Sequence, residues 1–230
     1  MKIKTIYNQI AEKYDSFYKT PLHFVEEEII AQFMPDFDNN TKILDVGCGT
    51  ANMITVGQIK AHQYLGVDVS QKMIDIAKSK YPDYSFKKAD GTKNIGDDEF
   101  DLALYVFGQV NYMGLEPWVD SLCANLNVIG GQFLVVMYAD GYKPDYMTEE
   151  IHRPPYFSIK TLLDEYGIDF TIHGLSYPIV GDVVSSYEDI YRKQIVMTES
   201  GNLDGCKYWI LKGGFPNNPI KGRPHLRVVT

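Results

Sequence analysis

The sequence predicts an α/β fold, a parallel sheet with helices on its faces, and three observations predict it. Strand-like and helix-like segments alternate from Lys42 to Tyr138, as the crossovers of a parallel sheet require. The first strand signal, Lys42 to Gly47, runs directly into Gly47-Cys48-Gly49, a strand-to-helix turn. The second strand closes on an acid, Asp68, nineteen positions beyond Gly49.

Two helices precede the sheet. Ile6, Ile10, Tyr14 and Phe17 recur at spacings of four, four and three, the stripe of an amphipathic helix, and Leu22, Val25, Ile29 and Phe33 repeat it after Pro21. After the strand signals at Lys42 to Gly47 and Tyr64 to Val69, Ser70 is a good N-cap for a helix carrying Met73, Ile74 and Ala77. Strand patterns follow at Tyr84 to Asp90, Phe100 to Phe107 and Gly131 to Tyr138, with the helical EPWVDSLCANL before the last. A loop rich in Tyr and Pro, Ala139 to Tyr156, then leads to the helix FSIKTLLDEYG and the strand IDFTIHGLS. The stretch from Asp182 to Ser200 fits neither period, CKYWILKGGF is a final strand, and Pro216 onward reads as a tail. Trp118 and Trp209 fall within helix and strand patterns and belong to the core.

Composition narrows the function. With 45% hydrophobic and 23% charged residues over 230 positions, the chain is globular and fits one domain. A net charge of −8 repels a phosphate backbone, so no nucleic-acid partner is expected; the only basic cluster is Lys221, Arg223, His225 and Arg227. Cys48, Cys123 and Cys206 are odd in number and lack C-x-x-C spacing, which predicts neither a disulfide framework nor a metal site and fits a reducing compartment. No apolar run approaches the roughly 18 residues of a membrane span, so a cytoplasmic protein with no membrane association is expected.

At the glycine turn, Gly47 permits the bend and Gly49 lets a ligand approach bare backbone. Asp68 suits bidentate hydrogen bonding to a ribose diol, because an ionised carboxylate is a strong pure acceptor. A nicotinamide-dependent oxidoreductase would need a third glycine at position 52, which is Asn, and would place a pyrophosphate near Asp45. That repulsion favours a ligand with positive charge and no pyrophosphate.

In these motifs the chain resembles the class I S-adenosylmethionine-dependent methyltransferases, in their small-molecule type. ILDVGCGTAN (Ile43 to Asn52) is similar to their first motif, VDVS with Asp68 to the second, KKAD with Asp90 to the acid after the third strand, and FDLALYVF to the fourth. YNQIAEKYD (Tyr7 to Asp15) resembles their lid helix, and the family usually has a third glycine where this chain has Ala51. The resemblance implies a Rossmann-like, seven-stranded, mostly parallel sheet whose sixth strand is parallel and last antiparallel, with an N-terminal helical lid. It divides the chain into a lid (1–40), a cofactor-binding core (41–138), a substrate-loop insertion (139–156), the rest of the sheet (157–215) and a tail (216–230).

S-adenosyl-L-methionine is the implied methyl donor and S-adenosyl-L-homocysteine the product. By the same resemblance, Asp45, Gly47 and Gly49 hold the methionyl end, Asp68 the ribose and Asp90 the adenine amino group. Val69 and Met73 supply apolar walls, and Gly91, Tyr14 and Phe107 complete the cofactor set. Ligands of parallel sheets bind outside the carboxyl ends of the strands, so the acceptor should meet Gln109, Asn111, Tyr112, Tyr142, Tyr146, His152, Arg153 or Tyr156. His152, with Tyr142 and Tyr14, is the candidate catalytic set, His152 as a general base. His23, His62 and His173 lie in helix, connector and strand signals and carry no assigned chemistry. The expected reaction is methyl transfer to an O or N atom of a small metabolite. Alternatives are a tailoring enzyme for a peptide, a non-catalytic S-adenosylmethionine-binding protein, and the oxidoreductase.

Overall fold

The computed structural model describes residues 3–96, 99–140, 151–176, 196–199 and 203–217. Tyr142, Tyr146, most of the 139–156 insertion and the basic cluster at 221–227 lie outside the described residues. Helices α1 (Ile3–Phe17) and α2 (Pro21–Phe33) lead into β1 (Ile43–Val46), α3 (Met53–Val56), β2 (Tyr64–Asp68), α4 (Gln71–Lys80), β3 (Ser85–Lys88) and β4 (Leu102–Tyr105). Then come α5 (Gln109–Met113), α6 (Leu115–Asn125), β5 (Gln132–Tyr138), α7 (Tyr156–Tyr166), β6 (Asp169–Ser176), β7 (Val196–Glu199) and β8 (Tyr208–Gly214).

The strands form one sheet in the order β3-β2-β1-β4-β5-β8-β6-β7. From β3 to β5 every pairing is parallel, and β8 runs antiparallel to both of its neighbours, so β6 points the same way as β5. All seven strands read from the sequence are present, and β7 adds an eighth on the edge, antiparallel to β6. Four residues of the pattern VMTE carry no alternation to read before a partner strand is known.

Period-two alternation divides the core between the two faces. Leu44, Val46, Ala103, Tyr105, Phe133 and Val135 pack with Trp118, Leu122 and Leu163 of α6 and α7. Ile43, Leu102, Leu104, Leu134 and Val136 pack on the other face with Ile30 of α2 and Ile54 of α3. Trp118 is fully buried and meets Tyr105 and Phe133 edge to face, at ring separations of 6.4 and 5.7 Å. Strands β1 and β4 are buried along their whole length, as central parallel strands covered on both faces must be. Among the described residues there is no disulfide, no cluster of three or more His, Cys, Asp or Glu placed for a metal ion, and no helix long and apolar enough to cross a membrane.

Strand order reverses at β1, which lies between β2 and β4, and this opens a crevice beyond their carboxyl ends. Gly47, Gly49, Asp68, Val69, Asp90 and Gly91 of the predicted set line it.

Candidate functional site

Beyond β1 the chain turns through Gly47 at φ 71° and Gly49 at φ 53°, left-handed backbone that favours glycine. The N–H groups of Gly47 and Cys48 both donate to the Val67 carbonyl, at 2.7 and 3.0 Å, which ties the turn to β2. Ala51 takes φ 67° in the same turn and is fully buried. A Cβ in this region costs roughly 1–2 kcal/mol, so where the family has glycine this chain carries a strained methyl group in its core.

Asp68 ends β2 with both carboxylate oxygens oriented by backbone. The Gly49 N–H donates to Oδ2 at 3.1 Å and the Ser70 N–H to Oδ1 at 2.7 Å. Burial still pushes its pKa above the ordinary value, against those two bonds. A carboxylate has about four lone-pair sites, so each oxygen retains one for a ligand hydroxyl.

These groups line a cleft of about 290 Å³ that also takes in Tyr7, Tyr14, Val69, Asp90, Gly91 and Tyr112. Asp90 accepts the Thr92 N–H at 3.0 Å and its hydroxyl at 2.8 Å, both on Oδ1, so one acid closes a turn and faces the cleft. At Gly91 a Cβ would collide with Val46, which fixes how closely β3's outgoing loop approaches β1.

Helix α1 lies across this cleft and is fastened at both ends. The Ser70 hydroxyl donates to Asn8 Oδ1 at 2.7 Å and the Tyr7 hydroxyl to Tyr112 Oη at 3.3 Å. Farther along, Asp15 accepts the Thr50 hydroxyl at 2.5 Å and pairs with Lys80 at 2.8 Å. Burial raises the Asp15 pKa, but the bonds from Lys80 and Thr50 outweigh it and hold the carboxyl below its ordinary value. Tyr14 covers the glycine turn, its ring 3.8 Å from where a Cβ on Gly49 would stand. Burial first, then Tyr18 and Tyr7, push its phenol well above the ordinary range, so it remains a donor at neutral pH.

Tyr14, Gly47 and Gln109 also line a second, smaller cavity of about 40 Å³. A Cβ on Gly47 would collide with the Gln109 amide, whose Nε2 donates to the Gly47 carbonyl at 3.4 Å. Asp45 and Phe107 lie on this side, together with Tyr18, His23 and Glu27. Asp45 is 2% exposed, and its Oδ2 accepts the Tyr64 hydroxyl at 2.6 Å. Its Oδ1 accepts no hydrogen bond among the described residues. Burial pushes its pKa up to about 7, the Tyr64 bond opposes this, and the nearby Asp68 adds to it. A buried carboxyl with a bare oxygen is a seat for a cation. Phe107 holds φ 58°, strained backbone for a bulky residue at the end of β4.

Five predicted residues line neither cavity: Met73, Asn111, His152, Arg153 and Tyr156. Met73 is fully buried in the packing of α4 and lines neither cavity; its N–H meets the Ser70 cap at 3.2 Å, so helix spacing rather than a ligand explains it. His152 is exposed and lines neither cavity, with its ring packed beside Gly114. The reason is Asn111, buried in α5, whose Nδ2 donates to the His152 and Tyr138 carbonyls at 2.6 and 3.1 Å. Asn111 thus secures the loop to β5. Conversely, Asp15, Thr50, His23 and Glu27 join the site without having been picked from the sequence. For His23 and Glu27 the signal was present: they stand four residues apart, on one face of α2.

Residues 43–128 match the family model described as "Methyltransferase domain". An uncharacterized protein of Methanocaldococcus jannaschii is 32% identical over 117 residues, 50% of this chain and 44% of that protein, so the match spans less than half the length of that curated relative. The fold is shared with an S-adenosylmethionine-dependent methyltransferase of Thermotoga maritima, described as a possible histamine N-methyltransferase. The TM-score is 0.69 at 15% identity, covering 91% of this chain and 98% of that one. It is shared too with phosphoethanolamine N-methyltransferase 1 of Haemonchus contortus, solved with phosphoethanolamine and S-adenosylhomocysteine. There the TM-score is 0.62 at 13% identity, covering 97% of this chain and 51% of that one. The glycine turn, the strand-end acids and the matched segment agree: residues 43–128 match a methyltransferase domain, on a fold shared with S-adenosylmethionine-dependent methyltransferases.

Proposed function

We propose that this chain transfers a methyl group from S-adenosylmethionine to an O or N atom of a small metabolite. The observation that carries the reading is the adjacency of the cleft at the β1 switch point and the cavity beside Asp45, which share Tyr14, Gly47 and Gln109 in their walls. The adenosine belongs in the larger space, its ribose hydroxyls on Asp68 and its adenine between Val69 and Gly91 beside Asp90. The methionyl ammonium belongs at Gly47 and the bare oxygen of Asp45, which supplies the charge it needs.

A sulfonium methyl is already activated, so the protein must chiefly align the acceptor and exclude water. Tyr14, on a fastened lid, does the second by roofing the junction of the two spaces. The smaller cavity supports a small acceptor, since only a compact group enters about 40 Å³. Purified protein with methyl-labelled donor, offered metabolite pools and peptide pools separately, tests the reading once the added mass is located. Label entering metabolites supports it. Label entering peptides alone replaces it with a tailoring activity, and binding of a nicotinamide dinucleotide in preference to the methyl donor removes it.

A further inference from the structure

The wall that α2 turns toward the smaller cavity has a chemistry of its own. His23 and Glu27 project there, one helical turn apart, with Tyr14, Tyr18 and Phe107 around them. Glu27 makes no hydrogen bond or salt bridge with any described residue, although it is half-buried, and burial, followed by the Glu26 charge, raises its pKa. Lys80 opposes that rise from a distance but forms no ion pair with Glu27, so the carboxyl can still take a cation in contact. Three aromatic rings beside it offer the electron-rich faces and edges that organic cations favour.

His23 is set up differently. Its Nδ1 lies 2.6 Å from the Thr20 hydroxyl, and its Nε2 lies 3.9 Å from Oε2 of the fully buried Glu26. That distance is too long for a hydrogen bond but short enough for a charge to be felt. Lys207 donates to the other Glu26 oxygen at 3.0 Å and orients the carboxylate. Burial lowers the His23 pKa, Glu26 raises it and Lys207 lowers it, and the outcome is an imidazole held neutral near pH 7. In the tautomer that donates Nδ1–H to the Thr20 hydroxyl, the Nε2 lone pair is available, and an arriving proton would sit beside Glu26.

We infer that the α2 wall seats the amine end of a small organic cation, with Glu27 pairing its ammonium group and His23 taking a proton from it. This rests on the methyl-transfer reading above. In the step, the ammonium N–H bond breaks and its proton passes to His23 Nε2. The freed nitrogen lone pair attacks the methyl carbon as the carbon–sulfur bond breaks, and that bond's electron pair stays on sulfur. The product is an N-methylated ammonium with a neutral thioether, and the His23 proton leaves to solvent. Positive charge that begins on sulfur ends on nitrogen, close to Glu27, where the carboxylate stabilises it. A carboxylate or phosphate acceptor would meet Glu27 and Asp45 as like charges, so this wall selects against anions.

The test uses the full chain saturated with S-adenosylhomocysteine and three small isosteric probes: ethylamine, ethanol and acetate. Binding is followed by calorimetry and by the His23 ring signal in NMR. The expected result is at least a tenfold preference for the amine over both isosteres, which the Glu27→Gln variant reduces below threefold, with the His23 signal moved by the amine. Alcohol or carboxylate binding as tightly as the amine, a preference intact in Glu27→Gln, or a His23 signal indifferent to every probe overturns the proposal. Failure of S-adenosylhomocysteine itself to bind strikes the methyl-transfer reading instead.

Turnover of a pool of primary and secondary amines supplies the second arm. Charged and titratable groups around His23 are Tyr18, Glu26, Glu27 and Lys207, all retained in His23→Gln. That variant should lose at least fiftyfold in kcat near pH 7 while keeping donor affinity. Its activity should return only as pH approaches the pKa of the free amine. An unchanged pH profile in His23→Gln, or a donor-binding protein that methylates no amine, overturns the assignment.

Discussion

Replacing Asp45 with Asn should stabilise the ligand-free protein at pH 8 and lose that advantage in acid. The Asp45 side chain is 2% exposed and its pKa is pushed from 3.8 up to about 7, by burial first. In the unfolded chain the same group ionises near 4, so between roughly pH 4 and 7 the folded protein keeps a proton that the unfolded chain has released. Stability therefore falls as pH rises through that window and levels off above it. A shift of about three units at about 1.4 kcal/mol each makes the full penalty about 4 kcal/mol at pH 8, of which about 1.5 kcal/mol has developed by pH 5. Asn is neutral throughout and keeps an oxygen for the Tyr64 hydroxyl, while its amide adds a pH-independent cost of about 1–2 kcal/mol. The difference in stability between the two proteins should then change by about 2.5 kcal/mol from pH 5 to pH 8, whatever the fixed cost. Urea unfolding of both proteins at the two pH values, followed by circular dichroism, measures it. Parallel pH dependence in the two proteins would refute the reasoning. The same variant should bind S-adenosylhomocysteine more weakly, because the stabilised site has lost its charge for the ligand ammonium.

Asp68→Ala removes a carboxylate already oriented by the Gly49 and Ser70 N–H groups, and calorimetry should show cofactor affinity reduced tenfold to a hundredfold, about 1.5–3 kcal/mol; wild-type affinity would place the ribose elsewhere. Asp15→Ala cuts α1 from Thr50 and Lys80, so hydrogen exchange over 5–17 should quicken and cofactor should dissociate faster, with unchanged exchange counting against a fastened lid. Because the folded pKa of Asp15 lies below its ordinary value, that fastening is present above the usual carboxylate range and weakens as pH falls through the folded pKa. His152→Ala should keep cofactor affinity and most turnover, since the ring faces solvent beside Gly114; a loss beyond tenfold in kcat would bring the imidazole into the site.

The cleft beyond β1 and β2 was legible because its determinants are local in sequence. A glycine turn at a strand end, an acid closing the next strand and another after the third are each dictated by backbone geometry, and parallel pairing in register brings them together. Asp90 shows how close two readings can be, since it serves as both the turn acid and a cleft-lining group. The smaller cavity resisted, because its walls come from elements remote in the chain. His23 reads as one polar residue in a helix until α2 is brought to the cavity beyond the end of β1, and His152 reads as a loop imidazole until Asn111 fastens its backbone.

Sequence by itself determined the α/β class, the two leading helices, the seven strands with a final antiparallel one, and the acids at the ends of β2 and β3. These follow from hydrophobic period and turn chemistry, which act over a few residues. Tertiary structure alone decided the edge strand β7, the strained φ of Ala51 and Phe107, and the burial that lifts Asp45 to about 7. It alone set His23 and Glu27 against Tyr18 and Phe107, because desolvation and side-chain meetings across the sheet depend on which surfaces fold together, and no local pattern encodes that.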